Sequence, residues 1–129
     1  MRKLLSFFSI ILLLSGCAEE SKKQEQTSAS ITSPNGNLEV QFQLDNNGKP
    51  FYLVKKNNTT VIDTSYLGLK FKNQSALIQN FKIAEVTTAE TDETWEQPWG
   101  EQRVIRDHHK QLQLHLEETT DTPRKLKII

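Results

Sequence analysis

The sequence has 129 residues, with 16 basic and 16 acidic side chains, so its formal charge is balanced. That length allows one ordinary domain and excludes a complete (β/α)₈ barrel, which needs roughly 250 residues. The balanced charge argues against nucleic-acid binding, and the single cysteine excludes an intrachain disulfide and a multi-cysteine metal cluster.

The first 16 residues predict a secretory signal peptide. A basic Met-Arg-Lys start precedes an apolar stretch at 4–14, which is too short for a membrane-spanning helix of about 20 residues. The motif Leu-Ser-Gly-Cys that ends at Cys17 resembles the bacterial lipobox, in which the chain is cut before the cysteine and the thiol carries the lipid. A buried free cysteine is the alternative, but nothing around Cys17 favours a core.

Ala18 follows the cysteine where an aspartate would indicate retention at the inner membrane. We therefore expect a lipid anchor in the outer membrane of a bacterial cell envelope, on its periplasmic or surface face. Residues 17–30 are polar and predict a flexible tether. The folded part is expected at 31–129.

The folded part is predicted to be a run of short strands. The clearest is Asn37–Leu44, where apolar and polar residues alternate and turns rich in Asn, Gly and Pro lie on either side. Further strands are predicted at 51–54, 61–62, 66–71, 81–86, 111–117 and 125–129. This pattern predicts an all-β antiparallel sandwich. The lean apolar content and the apolar last strand favour a portion of a larger domain over a sheet that simply ends there.

The polar segment 87–110 is where a functional site is expected, because it holds both tryptophans and many charges. Indole rings stack on the flat faces of sugars, and charged groups hydrogen-bond to sugar hydroxyls. The candidate sugar-binding residues are Trp95, Trp99, Glu101, Arg106 and His108. The alternative is that the tryptophans cover an edge of the sandwich and the charges are solvated.

The parity of the last long strand gives a further expectation. A single strand through 104–116 would place Arg106 and His108 on the face of three leucines, which is costly unless the charges are paired. We therefore expect the strand to break at 107–109, or that end of the face to line a cleft.

No catalytic residue and no metal ligand is assigned to the chain. His109 and His115 share a strand face but lie roughly 20 Å apart, too far to bind one zinc ion. Two of the three residues Glu93, Glu96 and Glu101 have the chemistry of a glycosidase carboxylate pair. A small sandwich, however, offers little burial to raise the pKa of one of them, so no pair is assigned.

The segment 92–112, DETWEQPWGEQRVIRDHHKQL, closely resembles the N-terminal domain of glycoside hydrolase family 97, which comprises bacterial α-glucosidases and α-galactosidases. The family pattern is approximately Glu-Thr-Trp-x-x-x-Trp-Gly-Glu, followed by Ile-Arg-x-His-Tyr-Asn-Glu-Leu. The turn at 33–36 and Leu-Gly-Leu at 67–69 resemble it too, so the resemblance covers 31–129. His109 stands where the family usually has tyrosine.

The resemblance implies that the chain is about the first half of the family's N-terminal β-sandwich. In the family, this sandwich packs on a catalytic barrel and helps to wall the sugar pocket, while the catalytic carboxylates and most calcium ligands lie in the barrel. The implied partners are the barrel, an oligosaccharide substrate and the membrane, with no cofactor in this chain. The alternative is a stand-alone lipoprotein sandwich that binds oligosaccharide or a protein partner without hydrolysis.

Overall fold

The computed structural model describes residues 25–129. The predicted signal peptide, Cys17 and most of the predicted tether lie outside the described residues. Every regular element within 25–129 is a β-strand, and the strands form two antiparallel sheets. This arrangement confirms the all-β sandwich. None of the described residues forms a helix long and apolar enough to cross a membrane.

The first sheet is a meander of four neighbouring strands. Its strands are β1 (Ser28–Thr32), β2 (Leu38–Leu44), β3 (Pro50–Lys56) and β4 (Thr59–Tyr66). The predicted turns are present, since the N–H of Gly36 donates to the carbonyl of Ser33 at 2.8 Å and that of Gly48 donates to Asp45 at 2.8 Å. Both glycines have positive φ, which these tight turns require.

The second sheet has three strands, with the longest two forming a hairpin. They are β5 (Phe81–Glu96), β6 (Val104–Glu118) and the short β7 (Lys125–Ile128). β5 and β6 are paired along their whole length, from Phe81 opposite Glu118 to Glu96 opposite Val104. β7 pairs with the end of β6 that is next to the core.

The core lies between the sheets at one end of this hairpin. The buried apolar side chains come from both layers: Phe42, Leu77, Phe81, Ile83, Leu114 and Leu116. β2 provides Phe42 through its alternation, and β6 provides its two leucines in the same way, so the period of two directs apolar residues inward.

Two sets of hydrogen bonds stabilise this end of the sandwich. The amide of Phe81 donates to the carbonyl of Gly48 at 3.0 Å, joining the β2–β3 turn to the start of β5. Arg124 forms two hydrogen bonds to the Glu118 carboxylate, at 2.7 and 2.6 Å, and its Nη1 also donates to the carbonyl of Ser75 at 2.7 Å. Glu118 is therefore buried with its charge paired.

Some sequence-based boundaries differ from the structure. β1 begins at Ser28, inside the predicted tether, because its backbone pairs with β2 from Ser28 opposite Gln43 onward. The strand predicted at 66–71 was wrong, because β4 ends at Tyr66 and only an isolated bridge joins Leu69 to Leu77. A polar segment is difficult to identify as a strand from its sequence when the strand that it pairs with is unknown.

The prediction that β6 breaks at 107–109 was also wrong. β6 runs unbroken through this segment, and β5 continues ten residues beyond its predicted end at 86 and stays paired with β6. The charges on this face are tolerated because this half of the hairpin extends beyond the core, where they remain partly exposed to solvent and are paired across the hairpin.

Candidate functional site

The far half of the β5–β6 hairpin extends away from the core. A strand of sixteen residues spans on the order of 50 Å, and the core occupies only its first half. None of the residues from Glu90 to Lys110 is fully buried. We call Glu90–Glu96, the turn that follows and Val104–Lys110 the distal arm.

One face of the distal arm continues the face that forms the core, but carries charges. Arg106 forms a bidentate pair with Asp92, with Nε to Oδ1 and Nη2 to Oδ2 both at 2.7 Å. His108 Nε2 lies 3.0 Å from Glu90 Oε1, and Lys110 Nζ lies 3.9 Å from Glu90 Oε2. These five side chains, from two strands, form what we call the charge ladder.

The charge ladder fixes the orientation of Arg106. Asp92 is opposite His108 in the strand register, so Arg106 reaches diagonally across the hairpin to it. The hydrogen bond from Arg106, together with its positive charge, holds the pKa of the Asp92 carboxyl below its usual value. Asp92 therefore stays ionised at neutral pH and keeps the planar guanidinium in place.

The other face of the distal arm carries Trp95. In the register this tryptophan is opposite Ile105, and it is about half exposed. On the same face, Nδ1 of His109 lies 2.6 Å from Oδ1 of Asp107. Because successive side chains of a strand alternate between faces, Trp95 and Arg106 lie on opposite sides of the sheet.

The turn at the end of the arm holds the remaining two candidates. Trp99 is 82% exposed, the highest exposure of any large apolar residue described, and Glu101 is exposed beside it. An open cavity of about 590 Å³ lies at this turn. It is lined by Glu96, Gln97, Pro98, Gly100, Glu101 and Arg103.

The structure thus divides the five sequence-based candidates among three places. Arg106 and His108 share the charge ladder, Trp99 and Glu101 share the turn, and Trp95 lies on the opposite face. Sequence reasoning missed Glu90 and Asp92, the partners that hold the ladder together. Parity within each strand would have put them on one face, but their pairing to β6 needed the register of the hairpin.

The arm's glutamates are all exposed, and Glu96 is occupied by Arg103, whose Nη2 lies 3.0 Å from its Oε2. A general acid needs a carboxyl group that is shielded from water. Within residues 25–129, no three His, Cys, Asp or Glu side chains converge to hold a metal ion, so calcium does not fit the donor set of this part.

Two family models match this chain. The family described as Glycosyl-hydrolase 97 N-terminal matches residues 31–129. The prokaryotic membrane lipoprotein lipid attachment site matches residues 1–18, which include Cys17.

The structural comparisons point to the same family. A glycoside hydrolase family 97 enzyme from Pseudoalteromonas sp. strain K8, solved with panose and with acarbose, is 30% identical with a TM-score of 0.71. The match covers 77% of this chain and 15% of that enzyme. A β-arabinopyranosidase, at 23% identity and a TM-score of 0.66, shares the fold.

This chain therefore spans a small part of the length of the solved enzymes it matches. The family match covers all of the sandwich except the first three residues of β1, and it includes the segment 92–112 on which the resemblance rested. The chain belongs to glycoside hydrolase family 97, and residues 31–129 are part of the N-terminal β-sandwich domain of that family.

Proposed function

We propose that the chain is the non-catalytic sandwich portion of a lipid-anchored glycoside hydrolase that acts on α-glucosides or α-galactosides. In this proposal the sandwich packs on the catalytic barrel and its distal arm forms part of the wall of the sugar pocket. The observation that carries the proposal is the fixed guanidinium of Arg106 on an arm that extends beyond the sandwich.

Arg106 is suited to bind a sugar hydroxyl. Asp92 occupies its Nε and Nη2, whereas its Nη1 has no acceptor among the described residues. A hydrogen-bond donor that is already held in place loses little conformational entropy when it binds a ligand. His108, held by Glu90, lies next to it with its Nδ1 3.5 Å from Arg106 Nη2.

The turn would supply the stacking surface of the same wall. Trp99 presents most of its indole ring to solvent, and Glu101 adds a carboxylate acceptor in the same turn. Trp95 points to the opposite side of the arm. We therefore assign Trp95 to packing against the barrel and the other four candidates to the pocket side.

We place the lipid anchor on Cys17, on the N-terminal side of the sandwich. The described residues begin at the end of the sandwich that holds the core, where the amide of Leu44 donates to the carbonyl of Thr27 at 2.9 Å. The arm extends from the opposite end. A lipid anchor on Cys17 would then join the sandwich at the end opposite the distal arm.

The calcium of the complete enzyme would belong to its catalytic part. Its role there would be to polarise the substrate or its attacking water. The residues of this chain, Arg106 and Trp99 among them, would bind and orient the sugar.

The test is a chimera in which residues 31–129 of this chain replace the matching segment of the Pseudoalteromonas enzyme. Arg106→Ala and Trp99→Ala are each introduced and compared with Lys82→Ala. This control removes a partly exposed charge at the core end of the sandwich, away from the distal arm. Acarbose affinity and kcat/KM for panose are measured. We expect a loss of at least tenfold for the two arm variants and no change for the control.

Unchanged acarbose affinity in both arm variants would overturn the assignment of the wall. A parallel measurement on the full chain separates the alternative, since a stand-alone carbohydrate-binding lipoprotein would bind acarbose or panose without any barrel. Hydrolysis of either sugar by the chain alone would contradict its non-catalytic role.

A further inference from the structure

Both ring nitrogens of His108 lie beside charged side chains of the charge ladder. Nε2 lies 3.0 Å from Oε1 of Glu90, and Nδ1 lies 3.5 Å from Nη2 of Arg106. An ionised carboxylate only accepts hydrogen bonds, and a guanidinium only donates them. The neutral imidazole that satisfies both neighbours carries its proton on Nε2 and a lone pair on Nδ1. The geometry therefore assigns one tautomer to His108.

His109 offers a comparison within the same strand. It points to the opposite face of the hairpin, and its Nδ1 lies 2.6 Å from Oδ1 of Asp107. By the same reasoning, the proton of its neutral ring lies on Nδ1. Two consecutive histidines are thus expected to hold opposite tautomers, each selected by one carboxylate.

The lone pair on Nδ1 of His108 complements the contact between Arg106 and Asp92. Each terminal guanidinium nitrogen carries two hydrogens, so Nη2 can donate one to Asp92 Oδ2, at 2.7 Å, and the other to His108. Neighbours from both strands of the hairpin then restrict the guanidinium. The distance to His108 is longer than the usual 2.7–3.2 Å, so its effect on Arg106 should be modest beside that of Asp92.

We propose that Glu90 and His108 are positioning residues for Arg106. Glu90 keeps the proton of His108 on Nε2, and the resulting lone pair on Nδ1 restricts Nη2 of Arg106. His108 acts through Arg106 and not as a sugar ligand, because both of its ring nitrogens are occupied. The link to sugar binding rests on the function proposed for the distal arm, whereas the tautomer and the restriction of Arg106 do not.

The first experiment measures the tautomers by long-range proton–nitrogen NMR of the full chain in detergent. At about pH 8.5, where histidine side chains are ordinarily neutral, we expect the proton of His108 on Nε2 and that of His109 on Nδ1. Glu90→Ala should increase the fraction of His108 with its proton on Nδ1. The matched control is Glu93→Ala, which removes an exposed glutamate of β5 from the opposite face.

Two results of this experiment would overturn the proposal. One is a proton on Nδ1 of His108 in the unchanged chain, because Nδ1 could not then accept from Arg106. The other is a His108 tautomer that Glu90→Ala leaves as it was, because the proton would then not be held by Glu90.

The second experiment uses two amide variants that distinguish the ring nitrogens of His108. In His108→Asn the amide oxygen can take the place of Nδ1, whereas His108→Gln places its amide group near Nε2 and leaves the Nδ1 position empty. Nitrogen spin relaxation of the Arg106 Nε–H reports the mobility of the guanidinium. We expect greater mobility in His108→Gln and unchanged mobility in His108→Asn. The same two substitutions at His115, in the core half of β6 and on its other face, are the control.

The same variants in the chimera connect this restriction to sugar binding. We expect His108→Gln to weaken acarbose binding by about fivefold, the effect of one hydrogen bond, and His108→Asn to retain it. Equal losses in both variants would mean that the ring itself contacts the sugar, and unchanged Arg106 mobility in His108→Gln would mean that His108 does not restrict it. Either result overturns the proposal.

The mobility measurement keeps this proposal separate from the function proposed for the arm. If His108→Gln increases the mobility of Arg106 while Arg106→Ala leaves acarbose affinity unchanged, the positioning role stands and the proposed sugar-binding role of the arm fails. If Arg106→Ala weakens acarbose binding while neither His108 variant changes mobility or affinity, the role of the arm stands and the positioning role fails.

Discussion

The two halves of the β5–β6 hairpin share one backbone ladder but are held by different side-chain forces. In the sandwich half, Leu114 and Leu116 are almost fully buried against the first sheet. In the distal arm, the same face of β6 carries Arg106 and His108, which are paired with acidic residues of β5. Apolar burial therefore stabilises the sandwich half. In the distal arm, charge pairing mainly fixes the orientation of the side chains.

This difference has a physical consequence for the roles of the two halves. Apolar burial contributes free energy that is largely independent of direction, at roughly 25 cal/mol per Å². Exposed ion pairs contribute little stability, about 0–1 kcal/mol, but a bidentate pair fixes a guanidinium in one orientation. The sandwich half is thus suited to hold the fold, and the arm is suited to present groups to a ligand.

The largest expected effect tests this difference directly. Leu116→Ala removes a side chain that is 1% exposed, and we expect it to lower the free energy of unfolding by about 2–5 kcal/mol. Val104→Ala, on the same strand in the arm, removes a side chain that is 53% exposed and should cost less than about 0.5 kcal/mol. Urea unfolding followed by circular dichroism measures both. Equal costs would remove the distinction between the halves.

A pair of glycine substitutions compares the backbones of the two regions. At Gly48, with φ of 65°, an added Cβ would lie 2.6 Å from the backbone of Phe81. Gly48→Ala would therefore strain both the turn and its hydrogen bond to Phe81. We expect a loss of about 2 kcal/mol or more in urea unfolding.

Gly100 in the turn of the arm is the matched position. Its φ is 116°, but an added Cβ would meet only the flexible end of the Gln97 side chain, at 2.9 Å. Gly100→Ala should therefore cost about 1–2 kcal/mol at most, and this cost should be seen as local opening of the turn in hydrogen exchange. A larger loss of global stability from Gly100→Ala than from Gly48→Ala would contradict the comparison.

Two arginines with bidentate carboxylate partners provide a third comparison. Arg124→Ala would leave the buried Glu118 carboxylate without its partner and would remove the hydrogen bond to the loop at Ser75, so global stability should fall. The loss should be smaller than for Leu116→Ala, because Arg124 itself is partly exposed. Arg106→Ala should leave global stability nearly unchanged. Its effect should appear as faster amide exchange in the distal arm, around Asp92. Global destabilisation by Arg106→Ala would show that the arm belongs to the cooperative core.

The same contrast explains which parts could be predicted from the sequence. The strict alternation in β2 and the last half of β6 places apolar residues on one face, so these strands and the all-β class were predictable. The distal arm was not, because its strands are held by cross-strand charge pairs such as Arg106 with Asp92, which are fourteen positions apart in the chain. Only the register brings these partners together.

The candidate site shows the same limit. Composition placed Trp99, Glu101, Arg106 and His108 in one segment, and in the structure they lie on the arm or its turn. It did not separate Trp95 from them, because the face of a strand residue is decided by where the strand begins and whether it breaks. The prediction of a break at 107–109 assumed that the charges would be buried on a core face. In the arm they are instead partly exposed to solvent and paired with Glu90 and Asp92 of the neighbouring strand.

The smallest expected effect is the dependence of stability on acid pH. Arg124 lowers the pKa of Glu118 below its usual 4.5, mainly by hydrogen bonding, so the folded chain binds the proton less readily than the unfolded chain. The stabilisation is therefore present above about pH 4.5 and is lost as the pH falls through the folded pKa. The pKa of Asp92 is lowered in the same direction by Arg106, but we expect the exposed arm to open locally, so that this shift leaves global unfolding unchanged. Urea unfolding between about pH 3 and 6 should thus show an acid loss that Arg124→Ala reduces and Arg106→Ala leaves in place. An acid loss that disappeared only in Arg106→Ala would mean that the charge ladder, and not the buried pair, links the fold to protonation.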